Sequence, residues 1–208
     1  LRYVREEDNE FVIGAMATQG DVERFEPLQR FCSGAVVRGV KEILGVQFRN
    51  MATMGGSVAS KFGFSDIIPA LLAVHADIVT YKGGRMSMKD YMNYRERDIL
   101  VEIRIPKREV PVAVEALRIS RGDFPYLTGS IRRDDTNYEV YIGTRPGAPQ
   151  LAEKASALLS EKGLDALDEA ARVASEELVY QKNSHASKEY RIEMAKAMVR
   201  RLVKEVAQ

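Results

Sequence analysis

Apolar residues along the first forty-five positions change from a strand pattern to a helix pattern. Residues 11–15 are short, apolar and closed by small residues, which predicts a buried strand. Proline suits a first helical turn and glycine suits a helix end, so we predict one helix over residues 27–45. Within it, the apolar residues recur at the i, i+3, i+4, i+7 spacing of a helix: Leu28, Phe31, Cys32, Ala35, Val36, Gly39, Val40 and Ile43.

The helical pattern stops at residue 45 and returns at residue 65. Residues 45–64 show no periodicity and hold four of the fifteen glycines, so we predict a long loop there. Long loops inside compact domains are often functional. Residues 65–72 again have apolar residues at helical spacing, with Ser65 or Asp66 as the capping residue. Pro69 is tolerated because it lies in the first turn of that helix.

Alternating apolar positions predict two groups of antiparallel strands in the rest of the chain. Residues 77–81 and 85–88 form a hairpin that turns at a glycine pair, and residues 100–105 form a further strand. The pattern changes near residues 107–110, which suggests two α+β domains. The second domain is predicted to contain strands over residues 112–119, 127–131 and 138–142, and then helices over residues 150–160, 164–178 and 187–206.

The composition is that of an ordinary globular protein, with 208 residues of which 45% are hydrophobic and 29% are charged. Thirty-one basic and thirty acidic residues leave a net charge of +1 without a block of either sign, so nothing predicts binding to nucleic acid. No apolar run approaches the roughly 20 residues of a membrane helix. The single cysteine, Cys32, cannot form an internal disulfide, which favours a reducing, cytoplasmic location.

Few side chains are available for metal binding or for nucleophilic catalysis. The sequence has two histidines, His75 and His185, so a zinc or iron–sulfur site lacks its ligands. Cys32 lies in the apolar stripe of its predicted helix, where packing in the core is favoured over a reactive thiolate. We therefore predict no metal site and no catalytic acid, base or nucleophile.

The predicted loop around residues 49–60 is the strongest candidate for a ligand site. It joins the paired glycines Gly55 and Gly56 to the hydroxyl groups of Thr53 and Ser57. Glycines let backbone N–H groups approach a phosphate or a ring edge, and hydroxyls can donate to phosphate or ribityl oxygens. The pattern matches neither of the common nucleotide-binding fingerprints, so a glycine pair that only turns the chain remains an alternative.

Two segments in this region resemble a known family. Residues 47–57 read QFRNMATMGGS and are similar to the motif R-N-x-A-T-I-G-G-N, and residues 65–72 read SDIIPALL and are similar to S-D-x-x-P-A-L-L. Both motifs are typical of the FAD-binding subunit or domain of molybdenum hydroxylases, the flavoproteins of xanthine dehydrogenase and carbon monoxide dehydrogenase. Flanking segments agree in the same order, so the resemblance covers nearly the whole chain.

The resemblance implies an α+β fold in two parts. Residues 1–107 correspond to the second part of a FAD-binding domain of the vanillyl-alcohol-oxidase type. Residues 108–208 correspond to the C-terminal domain of the CO dehydrogenase flavoprotein, which is expected to be a three-stranded antiparallel sheet with a helical layer.

The resemblance also implies which residues contact FAD. Ser57 stands where the family has an asparagine, and Arg118 is the nearest match to a basic residue close to the flavin. The family has a further segment ahead of these residues, with a second glycine loop on the FAD pyrophosphate, so the FAD site is expected to be incomplete within residues 1–208. The implied FAD contacts are Ile43, Thr53, Met54, Gly55, Gly56, Ser57, Asp66, Leu100 and Arg118.

The function implied by the resemblance is electron transfer by an oxidoreductase subunit. Such a subunit passes electrons from the iron–sulfur clusters of a partner subunit through FAD to NAD or another acceptor, while a molybdopterin subunit acts on the organic substrate. Two alternatives stay open, a stand-alone flavin oxidoreductase of the same superfamily and a flavin-less assembly module. Flavin absorbance and the identity of co-purifying subunits distinguish the three.

Overall fold

Two antiparallel sheets, with helices on and between them, form the computed structural model, which describes residues 1–143 and 147–208. The N-terminal sheet has the strand order β1-β2-β5-β3-β4, so β5 is central although it comes last along the chain. In the middle of this sheet Ile103 is paired with Ile13 on one side and Ile78 on the other, and all three are fully buried. The five strands are β1 (Val4–Glu6), β2 (Glu10–Gly14), β3 (Asp77–Thr80), β4 (Gly84–Ser87) and β5 (Leu100–Pro106).

Short α-helices link the strands of the N-terminal sheet. Their apolar side chains share one core with the sheet, and that core extends to Val112 and Tyr141 of the C-terminal half. The helices are α1 (Gln19–Arg24), α2 (Glu26–Arg30), α3 (Ala35–Lys41), α4 (Val46–Arg49), α5 (Met54–Ala59), α6 (Ile67–Ala73) and α7 (Met88–Asn93).

The single helix predicted over residues 27–45 is wrong, because the chain breaks in its middle. A 3₁₀ turn over Phe31–Gly34 separates α2 from α3. In that turn Cys32 and Ser33 have positive φ angles of 48° and 58°. The Cys32 N–H donates to a carboxylate oxygen of Glu109 at 2.7 Å, a contact from far along the sequence that helical spacing cannot reveal. The apolar stripe remains buried because both helices present it to the same core.

The C-terminal sheet contains the three predicted strands and a fourth of two residues. Its strands follow in the order β6-β7-β8-β9, all antiparallel, with a two-residue turn at Asp135 and Thr136 between β7 and β8. The predicted α+β fold is therefore confirmed, with β9 as an addition at the edge. The elements are β6 (Val112–Leu117), β7 (Leu127–Asp134), β8 (Asn137–Gly143), β9 (Gln150–Leu151), α8 (Glu153–Lys162), α9 (Leu167–Glu177) and α10 (Lys188–Val206).

Helix α6 lies between the two sheets and is buried at every position. The Ser130 hydroxyl on β7 donates to the Pro69 carbonyl oxygen of α6 at 2.7 Å. Just beyond the end of α6, His75 Nε2 lies 2.5 Å from a carboxylate oxygen of Glu139 on β8. These contacts fix α6 against the C-terminal sheet, so the first residues of α6 face the loop that follows β6.

Candidate ligand-binding site

A cavity of about 590 Å³ opens between the first half of the chain and residues 118–125. This volume lies within the range of roughly 300–1,000 Å³ that is usual for small-molecule sites. Its wall is mainly apolar, with a few hydroxyl, amide and charged groups. Six of the nine predicted FAD contacts line it, and they are Ile43, Thr53, Gly56, Ser57, Asp66 and Arg118.

The other three predicted contacts are not among the residues that line the cavity. Met54 and Leu100 are buried in the core shared with the N-terminal sheet. Gly55 is buried as well, and it packs on the end of β2. Their contact with FAD stays a prediction, but the structure gives each of them a packing role.

The long loop predicted over residues 45–64 is wrong, because it contains the helices α4 and α5. Helices of four and six residues are too short to show a periodic pattern, and the glycines in α5 weaken it further. Thr53 begins α5 as its N-cap, and its hydroxyl oxygen accepts a hydrogen bond from the Gly56 N–H at 3.2 Å. The threonine of the family motif therefore has a structural role at the site.

The two glycines of the motif face different surroundings. A Cβ on Gly55 would lie 2.7 Å from the carbonyl oxygen and from the Cβ of Ala15, far inside normal contact distance. A Cβ on Gly56 would meet only the Thr53 hydroxyl oxygen, at 3.1 Å, and Gly56 is exposed to the cavity. Gly55 thus lets α5 approach β2, and Gly56 keeps cavity space free.

The backbone N–H groups of this segment already have partners in the protein. Those of residues 54–57 donate to carbonyl oxygens of Ala15, Ala17 and Thr53 and to the Thr53 hydroxyl, at 2.8–3.2 Å. The expectation that these N–H groups bind a phosphate is therefore not supported by the structure. The reason is that the cap and first turn of α5 use the N–H groups of Gly56 and Ser57, and the chain just after β2 accepts those of Met54 and Gly55.

Thr53→Val is expected to lower the free energy of unfolding by about 1 kcal/mol, because it removes the cap of α5 while keeping the side-chain shape. Urea denaturation measures this change. Ser87→Ala is the matched control, since Ser87 caps α7 by accepting from the Asp90 N–H at 3.0 Å, outside the cavity. Both variants should lose similar stability, and only Thr53→Val should weaken FAD binding. Unchanged stability in Thr53→Val would contradict the capping role.

Gln19 is a cavity residue that the sequence analysis missed. It is 2% exposed and opens α1, and its Nε2 donates to the Ser57 hydroxyl oxygen at 3.0 Å. Its backbone N–H also donates to the Ala52 carbonyl oxygen at 2.9 Å, which ties α1 to the residues just before α5. The Thr18–Asp21 capping box at the start of α1 is a sequence signal that could have located this helix.

A buried ion pair joins the two halves of the chain at the cavity. A guanidinium nitrogen of Arg118 donates to Asp66, and each side chain is only 9% exposed. Burial raises the pKa of the Asp66 carboxyl to about 6, although Arg118 acts in the opposite direction. Asp66 is not the cap of α6, since the Ser65 hydroxyl accepts from the Ile68 N–H at 3.2 Å. Of the two capping residues considered, the structure selects Ser65.

Three phenylalanines form an aromatic wall of the cavity. Phe62 is stacked on Phe64 with ring centroids 4.9 Å apart, and Phe124 meets Phe64 edge-on at 4.9 Å. Phe62 and Phe124 are 53% and 58% exposed, so their rings are open to a ligand. Planar aromatic ligands pack well against such a surface. No periodic pattern marks these residues, and sequence analysis did not identify them.

Arg49, the arginine of the R-N motif, supports the cavity wall through hydrogen bonds to its backbone. Arg49 is 6% exposed and donates to both carboxylate oxygens of Glu23 at 2.7 and 3.1 Å. It also donates to the carbonyl oxygens of Ile43 and Leu44, at 3.0 and 3.2 Å. Because Ile43 and Leu44 line the cavity, Arg49 fixes the backbone that presents them.

The described part of the chain offers few groups for metal binding or nucleophilic catalysis. Residues 1–143 and 147–208 contain no cluster of three or more side chains suited to hold a metal ion. Cys32 is buried, and burial raises the pKa of its thiol to about 11, which is typical of a core cysteine and not of a nucleophile. Among the same residues, no helix has both the length and the apolar character to cross a membrane.

Comparison with family models matches both halves of the chain. Residues 1–108 match the FAD binding domain in molybdopterin dehydrogenase. Residues 113–206 match the CO dehydrogenase flavoprotein C-terminal domain.

The curated relatives match this chain over only part of its length. The uncharacterized protein YgfM of Escherichia coli K12 is 27% identical over 118 residues, which are 56% of this chain and 46% of YgfM. The carbon monoxide dehydrogenase medium chain of Hydrogenophaga pseudoflava is 30% identical over 135 residues, which are 60% of this chain and 47% of that protein. The chain thus spans about half the length of the curated relatives that it matches.

Solved structures match nearly the whole chain. A chain of reconstituted CO dehydrogenase from Oligotropha carboxidovorans superposes with a TM-score of 0.87 at 25% identity, covering 99% of this chain and 78% of the other. Quinoline 2-oxidoreductase from Pseudomonas putida 86 gives a TM-score of 0.88 at 19% identity with the same coverage, which shows the shared fold. The predicted fold, the predicted resemblance and the FAD cofactor are confirmed by these matches.

Proposed function

Since the chain belongs to the family of FAD-binding domains of molybdopterin dehydrogenases, we propose that it is the electron-transfer flavoprotein subunit of a molybdenum hydroxylase. In this proposal one partner subunit carries iron–sulfur clusters, and a second partner holds molybdopterin and acts on the organic substrate. Electrons leave the complex to NAD or another acceptor. The complex works in the cytoplasm, in keeping with a single cysteine that is buried and unpaired.

The observation that carries the proposal is the cavity onto which six predicted FAD contacts converge. Its groups fit a flavin nucleotide chemically. The Thr53 hydroxyl is a polar partner for ligand hydroxyls or ring edges, the phenylalanines offer an apolar surface for a planar ring, and Gly56 leaves room beside them. When bound, FAD supplies the chemistry of taking up single electrons and releasing a pair.

The chain's own residues bind and orient in this proposal. Phe62 and Phe124 exclude water from one face of the ligand, and Arg118 places a cation next to it that Asp66 partly neutralises. Arg49 and the α5 cap keep the wall rigid, so that the ligand meets a preformed site. No proton transfer by a side chain is needed for electron transfer, and the described residues that line the cavity include neither a histidine nor a cysteine.

We also propose a division into a FAD-binding domain, residues 1–107, and a C-terminal domain, residues 108–208. The matched ranges 1–108 and 113–206 support a boundary in this interval. Separate sheets on either side of it support the same division.

The full-length natural protein, isolated from its source with its partners, tests the proposed function. We expect an oxidised-flavin absorbance in stoichiometric amount, co-purifying iron–sulfur and molybdenum subunits, and bleaching of the flavin by anaerobic NADH. Colourless protein would favour the flavin-less assembly module, and a yellow protein without partners would favour the stand-alone oxidoreductase. The flavin could also be reduced by the organic substrate through the complex but not by NADH. That result would exclude NAD as the electron acceptor and leave the rest of the proposed function unchanged.

A further inference from the structure

Lys61 has a backbone conformation that is unusual for a lysine. It follows Ser60, the C-cap of α5, and its N–H donates to the Val58 carbonyl oxygen at 3.1 Å. Its φ angle is +49°, in the left-handed region. Left-handed residues commonly end helices, but they are usually glycines, because a side chain is disfavoured in that conformation. Such outliers cluster at ligand sites, so the lysine side chain at this position needs an explanation.

The side chain of Lys61 joins the end of α5 to the end of α7. Its Nζ donates to the carbonyl oxygens of Tyr91 and Tyr94, each at 2.6 Å, and lies 4.3 Å from the centroid of the Tyr91 ring. These carbonyl groups lie at the C-terminal end of α7, where an ammonium group is favoured. Tyr91 is buried in the core shared with the N-terminal sheet, so Lys61 is bound to a fixed part of the fold.

Phe62, the next residue, belongs to the aromatic wall of the cavity, whereas Lys61 is not among the residues that line it. The Phe62 ring is stacked on that of Phe64, and its carbonyl oxygen accepts from the Ser65 N–H at 3.0 Å. More than half of the Phe62 side chain is exposed, so burial alone does not fix the ring. The direction in which the chain leaves α5 therefore depends on Lys61, whose conformation is held by its two hydrogen bonds to α7.

We propose that Lys61 is a positioning residue for the aromatic wall and holds Phe62 where its ring packs against a planar ring of the bound flavin nucleotide. This inference rests on the proposed function, which supplies the planar ligand. Lys61 acts through Phe62, so its loss should matter only while the Phe62 ring is present. An ammonium group that merely attracted the diphosphate of the ligand would act independently of Phe62.

A double-mutant cycle with Lys61→Met and Phe62→Leu tests the inference. Methionine keeps the unbranched side chain without the ammonium group, and leucine keeps an apolar side chain without the ring. We expect each single substitution to raise the dissociation constant for FAD roughly 3- to 10-fold, as for one aromatic contact that is misplaced or lost. In the Phe62→Leu background, Lys61→Met should change this constant by less than about twofold. Flavin fluorescence during titration of the FAD-free, full-length proteins measures all four constants.

Lys89→Met is the matched control for the loss of charge. Lys89 is an exposed lysine on α7 and is not among the residues that line the cavity. Its substitution removes the same charge and should leave the dissociation constant for FAD unchanged. A loss of affinity as large as that in Lys61→Met would overturn the inference, because any positive charge in this region would then have the same effect.

The remaining outcomes separate this inference from the proposed function. Equal effects of Lys61→Met with and without the Phe62 ring would overturn the inference, because they would assign the loss of affinity to charge or to folding. FAD affinity within about twofold of wild type in either single variant would also overturn it and leave the proposed function standing. Wild-type protein that binds no FAD would overturn both. If Lys61→Met does not fold, Lys61→Gly serves with the same expected results, because glycine adopts this backbone easily but also leaves it free to adopt others.

Discussion

Gly55→Ala is expected to destabilise the protein by about 3 kcal/mol or more, because the new methyl group overlaps backbone atoms that cannot move away. The Cβ would lie 2.7 Å from the Ala15 carbonyl oxygen, which itself accepts the Gly55 N–H at 2.9 Å. Relief would require α5 to move off the end of β2, which breaks the hydrogen bonds between them. Urea denaturation of the two proteins measures the loss.

Gly56→Val provides the contrast at the neighbouring position. Its Cβ would meet only the Thr53 hydroxyl oxygen, at 3.1 Å, so the free energy of unfolding should change by about 1 kcal/mol or less. Because the side chain enters the cavity, we expect the dissociation constant for FAD to rise by roughly a hundredfold or more. Stoichiometric FAD in Gly56→Val, or a normally stable Gly55→Ala, would contradict the roles assigned to these glycines.

Arg118→Leu is expected to lower the free energy of unfolding by about 3 kcal/mol near pH 8, because it leaves Asp66 buried without its counter-charge. The loss should be much smaller near about pH 5. In the variant the pKa of Asp66 rises further above the value of about 6 that it has beside Arg118, so at low pH the carboxyl is neutral and needs no cation. Urea denaturation across this pH range measures the effect.

The sign of this pH dependence follows from proton binding. A carboxyl whose pKa is raised in the folded protein binds more protons there than in the unfolded chain, so stability falls as pH rises through that interval. The interval reaches about 6 in the wild type and extends higher in Arg118→Leu. Arg121→Leu removes an exposed arginine nearby and is the control, with little expected change. A loss in Arg118→Leu that is equal at both pH values would contradict a buried ion pair.

Strands and long helices were predictable from the sequence because burial of one face repeats at regular intervals. The C-terminal strands and the final helix α10 are found where alternation and helical spacing place them. The break at Phe31–Gly34 was not predictable, because the apolar stripe keeps its phase across it and the contact with Glu109 is remote in sequence. The helices α4 and α5 are too short for any period to appear.

The candidate site was predictable only as far as a family motif reaches. The motif led to Thr53, Gly56 and Asp66, and the structure brings all three to one cavity. It did not lead to Gln19 or Phe124, since a buried amide and an exposed ring leave no pattern in a single sequence. The spacing of the glycines also does not reveal that the backbone N–H groups of residues 54–57 already have partners in the α5 cap and in the chain just after β2.

The position of α6 has a consequence for how a ligand binds. The Ser130 hydroxyl donates to the Pro69 carbonyl oxygen of α6, and the ion pair between Asp66 and Arg118 joins the start of α6 to the C-terminal half of the chain. A motion that separated the two sheets would break these hydrogen bonds and would expose α6, which is buried at every position. The shape of the cavity is therefore expected to stay nearly the same when a flavin nucleotide binds, because the two sheets are held together on both sides of α6.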